Sequence, residues 1–128
     1  MKPVYLGEWS SNDDLARDFC RDSWGKDAAD EFLNSDAMRG IEVLLAYYSY
    51  EGYEGDAFVL FRRAGKLYEI NGGHCSCYGL EGQWEPSETS VAELRKRMDD
   101  GHLGQTYEQD EKFSVPLRAI LDELEASL

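Results

Sequence analysis

The stretch "IEVLLAYYSY", residues 41–50, decides the predicted fold because it is an almost unbroken run of residues that favour β-strands. A strand that is apolar on both sides is typical of the centre of a sheet, where other elements cover both faces. Gly52 and Gly55 end this run, and the sequence "DAFVLFRRAGKLYEI", residues 56–70, follows. It predicts two further strands joined by a tight turn at the Ala-Gly pair 64–65.

The simplest arrangement of these three strands is an antiparallel meander, because short turns join strands that run in opposite directions. The cluster Asn71-Gly72-Gly73 lies at the end of the third strand, and we expect it to break or bulge that strand. The sequence therefore predicts a three-stranded antiparallel sheet with strands at about residues 41–50, 57–63 and 66–71.

Helical patterns flank the sheet on both sides of the sequence. Ser11 and Asn12 are good N-cap residues, and the pattern "SVAE" beginning at Ser90 is typical of a capping box. Helices are predicted at about residues 12–24, 27–34, 91–100 and 115–127. The order of these elements predicts an α+β fold, and the length of the chain predicts a single domain over residues 1–128.

The two later helices have clear apolar stripes. Val91, Leu94 and Met98 share one side of the third predicted helix, and Arg95, Lys96 and Arg97 would form its basic surface. The last helix is the most amphipathic, and we expect its apolar side to lie across the sheet. That side consists of Leu117, Ile120, Leu121, Leu124 and Leu128.

Charge is the most informative bulk property of the chain. It has 26 acidic and 13 basic residues, a net charge of −13. The first 56 residues hold 13 acidic and 5 basic residues, a net charge of −8. Such a surface repels phosphate backbones, which argues against direct binding of nucleic acid, and it attracts basic protein partners. The alternative is that the acids only keep the protein soluble.

The first predicted helix carries like charges at a spacing of four residues, at Asp14, Asp18 and Asp22. Like charges at this spacing destabilise a helix slightly, which hints that this side has a role other than stability. We expect it to bind a basic partner, with nearby tyrosines as anchors, unless those are simply strand residues. The predicted partner-binding residues are Asp13, Asp14, Asp18, Asp22, Asp27, Asp30, Glu31, Tyr48, Tyr50 and Tyr53.

The segment "GGHCSCYGLEGQW", residues 72–84, contains His74, Cys75 and Cys77 and is open to three interpretations. In an extended chain the two thiols lie on one side and could hold a zinc ion, with Cys20 and His102 as further candidate ligands. A thiol enzyme is the second, although His74 would then point away from Cys75. Packing at the end of the sheet is the interpretation we favour, so no catalytic residue, metal or cofactor is predicted.

Cysteine usage and hydropathy bear on the compartment. Three cysteines do not suit a disulfide framework and suggest a reducing cytosol. The sequence has neither an apolar run long enough to cross a membrane nor the apolar core of a secretory signal at its start. We therefore expect a cytoplasmic protein without a membrane partner, and a homodimer formed through the sheet edge or the tyrosine-rich segment is a further possibility.

The sequence "HCSCYGLEGQWEP", residues 74–86, resembles a segment of small uncharacterised proteins of bacteriophage and prophage genomes. The resemblance implies a phage or prophage setting in a bacterial cytoplasm and transfers no catalytic residue. Together with the charge, it suggests a small acidic protein that binds another protein without catalysis. A special case is a nucleic-acid mimic that inhibits a host nucleic-acid-binding defence system, of the anti-CRISPR or anti-restriction kind.

Overall fold

The computed structural model describes residues 3–19, 31–36, 38–49, 55–74, 80, 83–100 and 113–126. Within these ranges, one mixed sheet contains five strands in the order β1-β2-β3-β4-β5. The strands are β1 Val4–Gly7, β2 Glu42–Tyr48, β3 Gly55–Arg63, β4 Lys66–His74 and β5 Ser87–Thr89. The helices are α1 Asn12–Phe19, α2 Val91–Asp99 and α3 Ser114–Ala126, and residues 31–33 are also helical.

The predicted three-stranded antiparallel sheet is wrong, although the α+β class is confirmed. β1 pairs parallel to β2, with Val4 opposite Leu45, and β5 pairs antiparallel to β4, with Thr89 opposite Leu67. These two edge strands contain 4 and 3 residues. Strands this short carry no usable alternation in their sequence, and their pairing depends on contacts with distant parts of the chain.

The predicted break of the third strand at residues 71–73 is also wrong. β4 continues through both glycines, with Gly72 opposite Ala57 and Gly73 opposite Asp56. A Cβ atom on Gly72 would lie only 3.0 Å from Oε1 of Gln83. Gln83 pairs with the strand itself, since its amide accepts from the N–H of Gly73 at 2.9 Å and donates to the carbonyl of Gly73 at 2.8 Å. These glycines therefore permit a close approach of the following segment.

A β-bulge in β2 explains why its apolar run is so long. Val43 lies opposite Phe61 and Leu45 lies opposite Leu60, so Leu44 is an extra residue with no partner of its own. Leu44 and Leu45 consequently pack into the same core cluster, whereas Val43 packs into the other one. The strand is apolar on both sides because both faces of the sheet are covered.

The helix-side face of the sheet is the one that packs against α2 and α3. Leu94 of α2 and Leu117 and Leu121 of α3 are fully buried there, each contributing about 1.5–3 kcal/mol through burial. The predicted apolar stripes of both helices are therefore confirmed over the described residues. This core consists of Leu44, Leu45, Tyr47, Phe58, Leu60, Val91, Leu94, Met98, Phe113, Leu117, Ile120, Leu121 and Leu124.

The opposite, aromatic-side face is covered by α1 and by segments rich in large rings. Phe61 stacks on Trp84 with ring centroids 6.1 Å apart, and Phe19 meets Trp84 edge-on at 5.1 Å. Trp9 contacts both Phe19 and Tyr48. Helix α1 therefore closes the second half of the core, and its description ends at Phe19. None of the described helices is long and apolar enough to cross a membrane.

Candidate functional site

The N-terminal acidic surface, which we define as Glu8, Asp13, Asp14 and Asp18, contains three of the predicted partner-binding residues. Asp13 is exposed, whereas Asp14 and Asp18 are partly buried. The carboxylate of Asp14 accepts from both the N–H and the hydroxyl of Ser10, at 2.8 and 2.7 Å. These bonds, and then the nearby Arg17, hold the pKa of Asp14 below its ordinary value against the opposing effect of burial.

Asp18 has a similar internal role. Its carboxylate accepts a hydrogen bond from Nε1 of Trp9 at 2.7 Å and lies 4.0 Å from Nε of Arg17. Only 14% of the Asp18 side chain is exposed. The bond to Trp9 ties α1 to the aromatic-side core, so Asp14 and Asp18 both contribute to the molecule's own structure. Glu8 and Asp13 are the members of this surface that face solvent.

The remaining predicted site residues lie in different places. Tyr48 is 6% exposed and packs against Trp9 at 5.2 Å, so it belongs to the core, and Glu31 is exposed. His74 ends β4. Among the described residues, no group of three or more His, Cys, Asp or Glu side chains could hold a metal ion. The predicted residues outside the described ranges are Cys20, Asp22, Asp27, Asp30, Tyr50, Tyr53, Cys75, Cys77 and His102.

A buried ion pair joins β4 to α2 on the helix-side face. Glu69 is only 5% exposed, and the guanidinium of Arg97 binds both of its carboxylate oxygens. Asn71 donates a further hydrogen bond to Glu69 at 2.7 Å. Burial acts to raise the pKa of Glu69, but the bonds from Arg97 and Asn71 and the adjacent Thr89 hydroxyl outweigh it, and the pKa lies below its ordinary value.

The polar groove, which we define as the cleft between β4, β5 and the start of α2, lies directly over this ion pair. Its volume is about 550 Å³. Ser90 caps α2 by accepting from the N–H of Glu93 at 3.2 Å. Glu93 lies beside Arg97 because the two residues are four apart on the same helix. The groove is lined by Glu69, Asn71, Ser87, Glu88, Thr89, Ser90, Glu93 and Arg97.

The sequence-based interpretation missed this groove and misjudged α2. The expected basic surface of that helix is wrong for both arginines, because Arg97 binds Glu69 while Arg95 binds Asp122 and Glu125 of α3 at 2.6 Å. One signal was available in the sequence. Glu69 is the only charged residue between Leu67 and Ile70 in a strand that is otherwise apolar there, and a buried acid requires a partner.

Ion pairs use most of the arginines and leave many acids unpaired. Arg17, Arg39, Arg62, Arg95, Arg97 and Arg118 each pair with carboxylates of the same chain. Exposed acids for which the described residues provide no ion pair include Glu8, Asp13, Glu85, Glu88 and Glu123. The bases of the described residues therefore do not pair with these exposed carboxylates. Comparisons with protein-family models, curated proteins and solved structures found no match.

Proposed function

We propose that this is a small, non-catalytic protein that binds a basic surface of another protein. The observation that supports this most strongly is which of its charged side chains are paired and which are exposed. The arginines of the described residues are largely committed to internal pairs, while Glu8, Asp13 and other carboxylates stay exposed. With a net charge of −13, the protein attracts cationic surfaces and accelerates association with them.

Glu8 and Asp13 are the residues that we propose for first contact. Asp14 and Asp18 lie beside them, and their bonds to Ser10 and Trp9 fix the position of α1. A rigid backbone under exposed carboxylates lowers the entropy lost when a partner's lysines or arginines pair with them. A phage-encoded inhibitor of a host nucleic-acid-binding complex is the form of this function that the resemblance favours.

The test is capture from a bacterial cytosolic extract by the immobilised protein at low and high salt, with bound proteins identified by mass spectrometry. We expect basic proteins to bind at about 50 mM salt and to be released at about 500 mM, because exposed charges are screened at high ionic strength. The variant Glu8→Gln/Asp13→Asn should lose at least half of this capture.

A matched control separates a specific surface from general charge. Asp100→Asn/Glu123→Gln removes the same number of exposed negative charges from other parts of the molecule. This control should capture the same proteins as the unmodified chain. Equal losses in both variants would contradict a role for the N-terminal acidic surface, and salt-independent capture would contradict an electrostatic mechanism altogether.

A further inference from the structure

We propose that Asn71 is a site of spontaneous deamidation, which the folded strand keeps closed and which reacts only when β4 separates from its neighbours. The chain contains three asparagines, and Asn71 is the one that is followed by glycine. Asn71 is exposed to the water that the reaction consumes. The inference goes beyond the proposed binding of basic proteins and does not depend on it.

The reaction needs water as its only other reactant. The backbone nitrogen of Gly72 attacks the side-chain carbonyl carbon of Asn71 and forms a new C–N bond. The bond from that carbon to the side-chain nitrogen breaks, and ammonia leaves with the proton that the backbone nitrogen gives up. Water then opens the cyclic imide at either of its carbonyl carbons. The products are an ordinary aspartate and an isoaspartate, which carries an additional methylene group in the main chain.

The residue after each asparagine determines how readily this ring forms. Gly72 has no side chain, so nothing at that position hinders the attack. Asn12 is followed by Asp13 and Asn34 by Ser35, which both carry a Cβ atom. In the unfolded chain, position 71 should therefore react before positions 12 and 34. These two asparagines serve as internal references.

The backbone of β4 blocks the attacking nitrogen. Gln83 pairs with both the N–H and the carbonyl of Gly73, so these groups face away from β3. Successive residues of a strand direct their N–H groups to opposite sides, so the N–H of Gly72 points into the ladder towards Ala57. An extended backbone also turns this nitrogen away from the side chain of the preceding residue. Ring closure therefore requires β4 to leave its strand conformation.

The buried ion pair holds the other partner of the reaction. The side-chain nitrogen of Asn71, which is the leaving group, donates to Oε1 of Glu69 at 2.7 Å. Glu69 is 5% exposed and is bound in turn by Arg97 of α2. The amide of Asn71 is thus tied to the contact between β4 and α2. Loss of that contact frees the side chain and the backbone of this part of β4 together.

The products of the reaction cannot restore the original contact. An aspartate at position 71 replaces the donor to Glu69 by an acceptor, so that two neighbouring carboxylates would share Arg97. Like charges beside a buried carboxylate are unfavourable. An isoaspartate lengthens the main chain just before the pair of Gly72 with Ala57 and disturbs the register that follows. Deamidation therefore leaves β4 less able to close.

The experiment is a timed incubation of the protein at mildly alkaline pH, in native buffer and in guanidinium chloride above the unfolding midpoint. Proteolysis and mass spectrometry then give the fraction of acid at positions 12, 34 and 71. We expect position 71 to react fastest in denaturant and to be slowed about tenfold or more by folding. Absence of reaction at position 71 in denaturant would overturn the site. Equal rates in both solutions would overturn its protection by the fold.

Two variants test whether β4 opens locally. Glu69→Gln removes the charge that binds Arg97 and should accelerate deamidation at position 71 about tenfold in native buffer. Gly7→Ala strains β1, which two strands separate from β4, and is the control for a general loss of stability. It should accelerate the reaction much less. Equal acceleration in both variants would mean that global unfolding controls the reaction, and would overturn local opening.

A final pair of variants tests the effect of the product. Asn71→Asp introduces the carboxylate directly, and Asn34→Asp introduces one at an exposed asparagine away from the ion pair. The melting temperature of Asn71→Asp should be lower by about 5 °C than that of Asn34→Asp. Equal melting temperatures would overturn the claim that the product hinders closure of β4.

Discussion

The two faces of the sheet differ in how each holds a carboxylate at the margin of its core. On the helix-side face, Glu69 is buried because the charge of Arg97 compensates it. On the aromatic-side face, Asp18 accepts from the neutral indole of Trp9 and stays partly exposed on α1. The difference follows from the cost of desolvating an ion, which a neutral donor offsets only in part. An acid enters this interior only with its own base, so the excess acids remain outside.

The largest expected effects come from removing one ring from each face. Phe58 and Phe61 lie on β3, are both 1% exposed, and point to the helix side and the aromatic side. Phe58→Ala and Phe61→Ala should each cost about 3–5 kcal/mol in the free energy of unfolding, measured by urea denaturation. Because Phe61 stacks on Trp84, tryptophan emission should change much more in Phe61→Ala. Equal emission changes would contradict the separation of the two cores.

The parallel edge strand depends on one glycine. Gly7 has φ +69°, and a Cβ atom there would lie 2.1 Å from the carbonyl oxygen of Tyr48. Gly7→Ala should therefore cost about 3 kcal/mol, since strain and overlap occur together. Gly65, in the turn between β3 and β4, has φ +79° with open space around it, and Gly65→Ala should cost only about 1 kcal/mol. Thermal unfolding of both variants measures the difference, and equal losses would contradict the close packing of β1 on β2.

Substitutions of Glu69 and Asp18, the carboxylates at the margins of the two cores, provide a direct comparison. Glu69→Gln leaves Arg97 with only the more distant and exposed Glu93 as a counterion and should cost about 2–3 kcal/mol. Asp18→Asn keeps an oxygen that can accept from Trp9 and should cost about 1 kcal/mol or less. Denaturant unfolding at neutral pH gives both values. A larger loss for Asp18→Asn would show that the aromatic-side carboxylate is the more important of the two.

The smallest effect is a dependence on pH. The pKa of Glu69 is lowered in the folded protein, so the unfolded chain takes up the proton first as the pH falls. The stability from this carboxylate is present above the ordinary glutamate pKa and is lost as the pH falls through the lowered folded value. In this window, melting temperature should fall less steeply for Glu69→Gln than for the unmodified chain. Parallel curves would contradict a charged Glu69 in the folded state.

The central strands and the two later helices were predictable because their apolar spacing is set locally. Residues 41–50 indicated β2, and the stripe on α3 indicated its packing against the sheet. β1 and β5 were not predictable, since strands of 4 and 3 residues acquire their pairing from tertiary contacts. The glycines of β4 were misinterpreted because a glycine that permits close approach looks the same in sequence as one that breaks a strand.

The candidate site was harder to predict than the fold. The sequence indicated acids on α1, but not that Asp14 and Asp18 would bind Ser10, Arg17 and Trp9. The polar groove combines side chains from residues 69–97, and this proximity depends on the register of β4 with β5. A sequence pattern shows which residues are charged, whereas the choice of partner requires the tertiary structure.

The extra residue in β2 has a consequence for how this protein can change in length. Because Leu44 has no partner in β3, deleting it would restore regular alternation while every other side chain of the strand kept its side. Deleting Ala46 would instead move the side chains on one side of the deletion to the opposite face of the sheet. Homologous chains shorter by one residue in this strand should therefore have lost one of the two adjacent leucines.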